Sequence, residues 1–177
     1  MPERTDYLRL FEEHLDEDFQ VLFAPAPPPN REEIGAFGRA IGCVLPDDYV
    51  CLLASDLVGF YAEAKETAWP RKQGGRFWMF QHALLTYGLD AGLPDWIELR
   101  VQVSQFRQET GTSLTPCMRT IGSADPHCFD AEGRLVRWDH EMEQAVPEDM
   151  TFFAALEEEL RALRSNKDRM KAAEPRT

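Results

Sequence analysis

Residues 34–56 read IGAFGRAIGCVLPDDYVCLLASD, and the order of their breaks decides the fold. Ile34, Phe37 and Ile41 recur at helical spacing, so they form the buried stripe of a helix. Gly42 stands where a left-handed C-terminal turn is wanted, since glycine enters that conformation without a Cβ penalty. Pro46 opens a second helix: its missing amide costs nothing in a first turn, and Asp47 and Asp48 face the positive end of the helix dipole. Tyr49, Leu52 and Leu53 supply the inward side. The upstream helix starts at Asn30, an N-cap with Glu33 three residues on, the reciprocal arrangement that satisfies exposed amides.

Outward from this pair, Thr5-Asp6 caps a first helix on which Tyr7, Leu8, Phe11, Leu15 and Phe19 make an apolar stripe. Its other face carries Glu12, Glu13, Asp16, Glu17 and Asp18, a solvated face or a docking patch. Pro25-Ala26-Pro27-Pro28-Pro29 lacks most amide donors and reads as an extended connector. Leu57–Tyr61 and Phe77–Phe80 are strand candidates. Between them, Trp69 with Arg71 and Lys72 has the composition of a binding anchor, or else the indole folds over an apolar edge.

Residues 96–106 fit both periods, and capping decides for a helix from Trp96 to Glu109, begun by Asp95 with Glu98 and ended before Gly111. Met118–Ser123 leads to a strand at His127–Asp130, a turn closed by Gly133, and a strand at Leu135–His140. Asp149 or Thr151 caps a final helix with Phe152, Phe153, Leu156, Leu160 and Leu163 on one stripe. The expected class is α+β: N-terminal helices, a central, mainly antiparallel twisted sheet and a packed C-terminal helix.

Two blocks carry a resemblance. Helix, glycine, Leu45-Pro46-Asp47-Asp48-Tyr49 and helix, followed later by Ile121-Gly122, a strand to Asp130, a glycine turn and a strand ending Trp138-Asp139-His140, together resemble the SUKH superfamily of Smi/Knr type. The matching blocks cover most of residues 30–165, within one expected domain over residues 1–165, and the basic residues 166–177 read as a flexible tail. The resemblance implies a cytoplasmic, bacterial immunity protein, a monomer or weak dimer. Such a protein binds a secreted toxin domain, a nuclease or other cationic effector, and occludes its active or substrate-binding face. A regulatory protein-interaction scaffold is the alternative, and an uncharacterised hydrolase a more distant one.

The 177 residues, 44% hydrophobic, suit one domain with a substantial core. Thirty-one acidic against nineteen basic residues leave a net charge of −12, which repels phosphate backbones and steers a cationic protein inward. Six of the basic residues lie in the last seventeen positions. No apolar run reaches the roughly 18 residues of a membrane span, and residues 1–4 do not open a signal peptide.

Cys43, Cys51, Cys117 and Cys128 lack disulfide-scaffold spacing and read as reduced thiols. A zinc site from Cys117, His127, Cys128 and His140 is disfavoured because adjacent strand residues point to opposite faces. No nucleophile or cofactor motif occurs. Asp130, Asp139 and Glu141 with His127 and His140 are the acid-base set to inspect, although the expectation is a non-enzyme with no metal and no cofactor. Expected partner contacts are Glu12, Glu13, Asp16, Glu17, Trp69, Asp139, Glu141 and Glu143.

Overall fold

The computed structural model describes residues 1–24, 27–69, 82–90 and 92–173. The chain runs α1 (Arg4–His14), β1 (Phe19–Leu22), α2 (Arg31–Ile41), α3 (Asp47–Leu53), β2 (Tyr61–Ala64), β3 (Ala83–Thr86) and α4 (Leu99–Thr110), then β4 (Thr115–Thr120), β5 (His127–Phe129), β6 (Leu135–Asp139), β7 (Gln144–Pro147) and α5 (Phe152–Ala173). The seven described strands form one antiparallel sheet whose spatial order is their chain order. The α+β class is as expected, with α5 packed on the sheet.

Alternation along the strands assigns the two faces. Phe129 packs its ring near Phe152 of α5, whereas its neighbour Cys128 belongs to a separate small core with Val136, Trp138 and Phe106 of α4. Successive strand residues point oppositely, so α5 covers one face and α4 the other. Alpha1 and α3 lie against α5, and the main core beneath them gathers Tyr7, Ile34, Tyr49, Leu52, Phe60 and Leu156.

The opening motif builds the helix pair as its residues dictate. Asn30 accepts the Glu33 amide while the Glu33 carboxylate accepts the Asn30 amide, and Gly42 takes φ of 67°. Asp48, buried at 7% exposure, then does more than favour its own helix. One carboxylate oxygen accepts the Tyr49 amide at 2.9 Å and the other accepts the Phe153 amide of α5 at 3.0 Å. Its backbone carbonyl accepts the Tyr7 hydroxyl of α1 at 2.8 Å. Gly133, at φ of 82°, closes the β5–β6 turn so tightly that a Cβ there would stand 2.2 Å from the Val44 carbonyl. The turn and the α2–α3 connection are thereby docked, with the Val44 amide donating to the Ala131 carbonyl.

Several boundaries differ from expectation. Of Leu57–Tyr61 only Tyr61 enters a strand, because Gly59 turns the chain at φ of 64°. Phe77–Phe80 lies outside the described residues. Phe19, placed by periodicity on the first helix, begins β1, since α1 stops at His14 and Leu15 is extended. Beta7 was not anticipated: all four of its residues are exposed, so no alternation marks it. Glu98, not Asp95, caps α4, accepting the Val101 amide at 2.9 Å. Thr151 accepts the Ala154 amide at the start of α5. The expected flexible tail from 166 is instead helical to Ala173, with Lys167 buried against Asp16 and Asp18.

The Asp48 link makes a direct prediction. Replacing Asp48 by alanine orphans the first-turn amide of α5 and should cost about 1–2 kcal/mol, with Asp48→Asn, which keeps one acceptor, losing less. Urea unfolding measures both, and an alanine variant as stable as the parent would dismiss the link.

Candidate partner surface and the buried histidine cluster

The eight expected contact residues do not form one patch. Glu12 and Glu13 lie exposed on α1, and Glu17 is exposed just before β1; Asp139, Glu141 and Glu143 belong to the β6–β7 hairpin. Beta1 and β7 are opposite edges of the sheet with five strands between them. Of those outside the hairpin, two are claimed by the fold. Asp16 accepts from the Lys167 ammonium at 2.7 Å, and Trp69, named as a contact but with an inward fold as its other reading, is only 4% exposed and stands edge-on to His82. The indole folds inward because burying its apolar body outweighs display of the N–H. Arg71 and Lys72 lie outside the described residues.

The hairpin tip is built firmly. Asp139 accepts the amides of Glu141 at 3.0 Å and Met142 at 2.9 Å, and Glu143 takes φ of 50°, the one positive φ of a non-glycine among the described residues. A left-handed glutamate costs on the order of 1 kcal/mol, so the turn is held by its surroundings. Glu141, Met142 and Glu143 are all exposed. The side chains of Glu12, Glu13, Glu17, Glu141 and Glu143 take part in no ion pair among the described residues. Several basic groups, in contrast, are paired within the chain: Arg4 with Asp56, Arg134 with Asp130, Arg137 with Glu148, Arg161 with Glu157, and Lys167 and Lys171 with Asp18.

The proposed acid-base set does not assemble. His140 Nδ1 pairs with Asp125 at 2.6 Å, Asp130 with Arg134 at 2.7 Å, and Asp139 caps its own turn. His127 is elsewhere, buried between two carboxylates that sequence reasoning did not connect to it. Its Nδ1 lies 2.7 Å from Glu148 and its Nε2 3.0 Å from Glu159 of α5. Arg137 completes the cluster at 3.1 Å from Glu148, and the Thr120 hydroxyl donates to Glu159 at 2.7 Å.

Two carboxylates are both acceptors, so the imidazole satisfies them only as the cation with an N–H on each nitrogen. Burial would depress the His127 pKa, but its hydrogen bonds to Glu148 and Glu159 outweigh this and raise it. The same contacts hold both carboxyls below their usual range against burial. An imidazolium with both nitrogens engaged has no lone pair for a substrate proton or a metal. Burial pushes all four cysteine thiols up, away from the thiolate. Among the described residues no group of three metal-ligating side chains gathers, and no helix is long and apolar enough to cross a membrane. The chain matches no protein-family model, no curated protein and no solved structure.

The cluster has a pH signature. The raised imidazole contributes fully below its ordinary value of 6.5 and loses its contribution as pH rises through the elevated native value. The lowered carboxyls contribute fully above 4.5 and lose theirs as acid carries the pH through their native values. The cluster therefore stabilises most between those ordinary values. His127→Ala should cost about 1–3 kcal/mol there, because two partly buried carboxylates lose the imidazolium and keep only Arg137. The urea-midpoint gap between the parent and His127→Gln should narrow at alkaline pH; a constant gap would mean that the imidazole is neutral.

Proposed function

We propose that the chain is an immunity-type binding protein of the SUKH kind, which neutralises a cationic toxin domain by covering its active or substrate-binding face. The supporting observation is the division of charge. Part of the net −12 is displayed by exposed glutamates that make no ion pair among the described residues, while several arginines and lysines are paired within the chain. Such a field raises association rates with a cationic surface and competes with an anionic substrate for it. The helix–glycine–Leu-Pro-Asp-Asp-Tyr–helix order, the antiparallel sheet and the terminal helix agree with the architecture that the resemblance implies.

Within this reading the β6–β7 hairpin is the first contact element, because its acidic tip is exposed and its turn is held by Asp139. Beta7 ends in Pro147, whose missing N–H blunts the sheet edge. Recognition there runs through side chains, not through an added strand.

Co-expression with candidate toxins, beginning with the product of the adjacent reading frame, tests the function. Growth rescue together with a purified complex is the expected result; absence of both with every candidate counts against immunity. Once a partner is in hand, Glu141→Lys with Glu143→Lys should slow association up to roughly tenfold at low salt. The parent rate should fall as the screening length shrinks toward about 8 Å. A salt-independent rate would remove charge steering from the mechanism.

A further inference from the structure

The sheet face under α4 is only partly covered. Register aligns Tyr61 with Leu85 and Leu85 with Arg119, a row on the α4 side, since the next residue, Thr120, meets Glu159 of α5 on the other. Along this row run two adjoining hollows of about 340 and 410 Å³ that share Tyr87, Gln102, Gln105 and Arg119. Trp96 stands at one end, 52% exposed, and is propped edge-on against Tyr61 at 5.7 Å.

Arg119 is the member that always carries a positive charge. In a chain rich in surplus carboxylates it meets none among the described residues. Its Nε donates to the Ser123 carbonyl at 3.3 Å, a contact that orients the guanidinium without neutralising it, and its charge offsets part of the rise that burial gives the Tyr87 hydroxyl. Five N–H donors in a rigid fork leave several to spare. Gln102 donates to the Asp95 carbonyl and to Gln105, which fixes both amides and leaves the Gln102 oxygen and the Gln105 N–H groups for a ligand. Asp95 and Glu109 are exposed at the rims. The cleft thus presents negative, positive and negative charge in turn, beside an upright aromatic.

We infer that this cleft is a peptide-binding site, taking an extended segment of a protein partner that carries one acidic side chain between basic ones. The carboxylate sits on Arg119 in the bidentate geometry that guanidinium favours. An apolar neighbour packs on Trp96, and the basic residues meet Asp95 and Glu109. The rim carboxylates and the overall charge oppose nucleotides and nucleic acid, whose consecutive phosphates would meet them. The inference rests on the reading of the chain as a protein-binding module, and adds to it a second contact face that, unlike the hairpin, calls for a carboxylate in the partner.

Selection of a random heptapeptide phage library on the full chain, counter-screened on Arg119→Gln, tests this inference. Arg119 is exposed, so both proteins should melt alike. Enriched peptides should carry Asp or Glu flanked by Lys or Arg, bind Arg119→Gln at least tenfold more weakly, and shift the Trp96 indole resonance, identified by its loss in Trp96→Phe. No enrichment, or peptides that bind both proteins equally, overturns the site. So does an indole shift produced by ATP or a single-stranded oligonucleotide more strongly than by the peptides. If the cleft fails while the hairpin charge reversals still slow a toxin, the proposed function stands without this face. Peptide selection without toxin rescue leaves the module and removes immunity.

Discussion

The Asp48 carboxylate is the constraint on which the helical layer depends. The first turns of α3 and α5 are both positive ends with amides that lack intrahelical partners, and burying two such ends side by side is unfavourable. One carboxylate between them, bonded to the Tyr49 and Phe153 amides, turns that repulsion into attraction. Its carbonyl holds Tyr7 of α1 as well. With the three helices so fixed, Tyr49 stands 4.8 Å from Phe152 and 5.1 Å from Phe129, and the aromatic core joins the layer to the sheet. The Leu-Pro-Asp-Asp-Tyr segment is thus accounted for by architecture, and nothing in its geometry requires contact with a partner.

Alpha5 is held at three further levels by charge. Glu159 meets His127 of β5, Arg164 donates to the Glu13 carbonyl, and Lys167, 5.4 Å above the Phe19 ring, meets Asp16 and Asp18. Burying a cation is tolerated only when carboxylates surround it, and an acidic chain has them to give. This use of the cations leaves the outer carboxylates uncompensated. Stability of the helix and the negative field outside it are two results of one distribution of charge.

The two proposed contact faces differ for structural reasons. The turn of the hairpin and β7 are exposed, so their side chains meet water and their charge acts at a distance, on the rate of encounter. The α4 cleft has walls, an oriented guanidinium and an aromatic, features that act at contact and select among partners.

Much of the local structure was legible in the chain. Asn30 with Glu33, Gly42, Pro46, Gly111 and Gly133 each act through the few residues beside them, and stereochemistry at that range follows residue type. Elements without a local signature were not legible: β7 is exposed throughout, and β1 follows directly on a helical pattern. Lys167 was half legible, since it continues the stripe of Leu156, Leu160 and Leu163 where a core residue is due. The partners of His127, the bridge from Asp48 to Phe153 and the distance of Arg119 from every carboxylate among the described residues depend on segments far apart in sequence. The chain by itself determined the helix pair, the caps at Asn30, Gly42 and Gly111, and the sign of the charge, because those depend on neighbours and composition. Only tertiary packing decided which carboxylates are spent inside and which remain to face a partner, because charge pairing depends on distance in space.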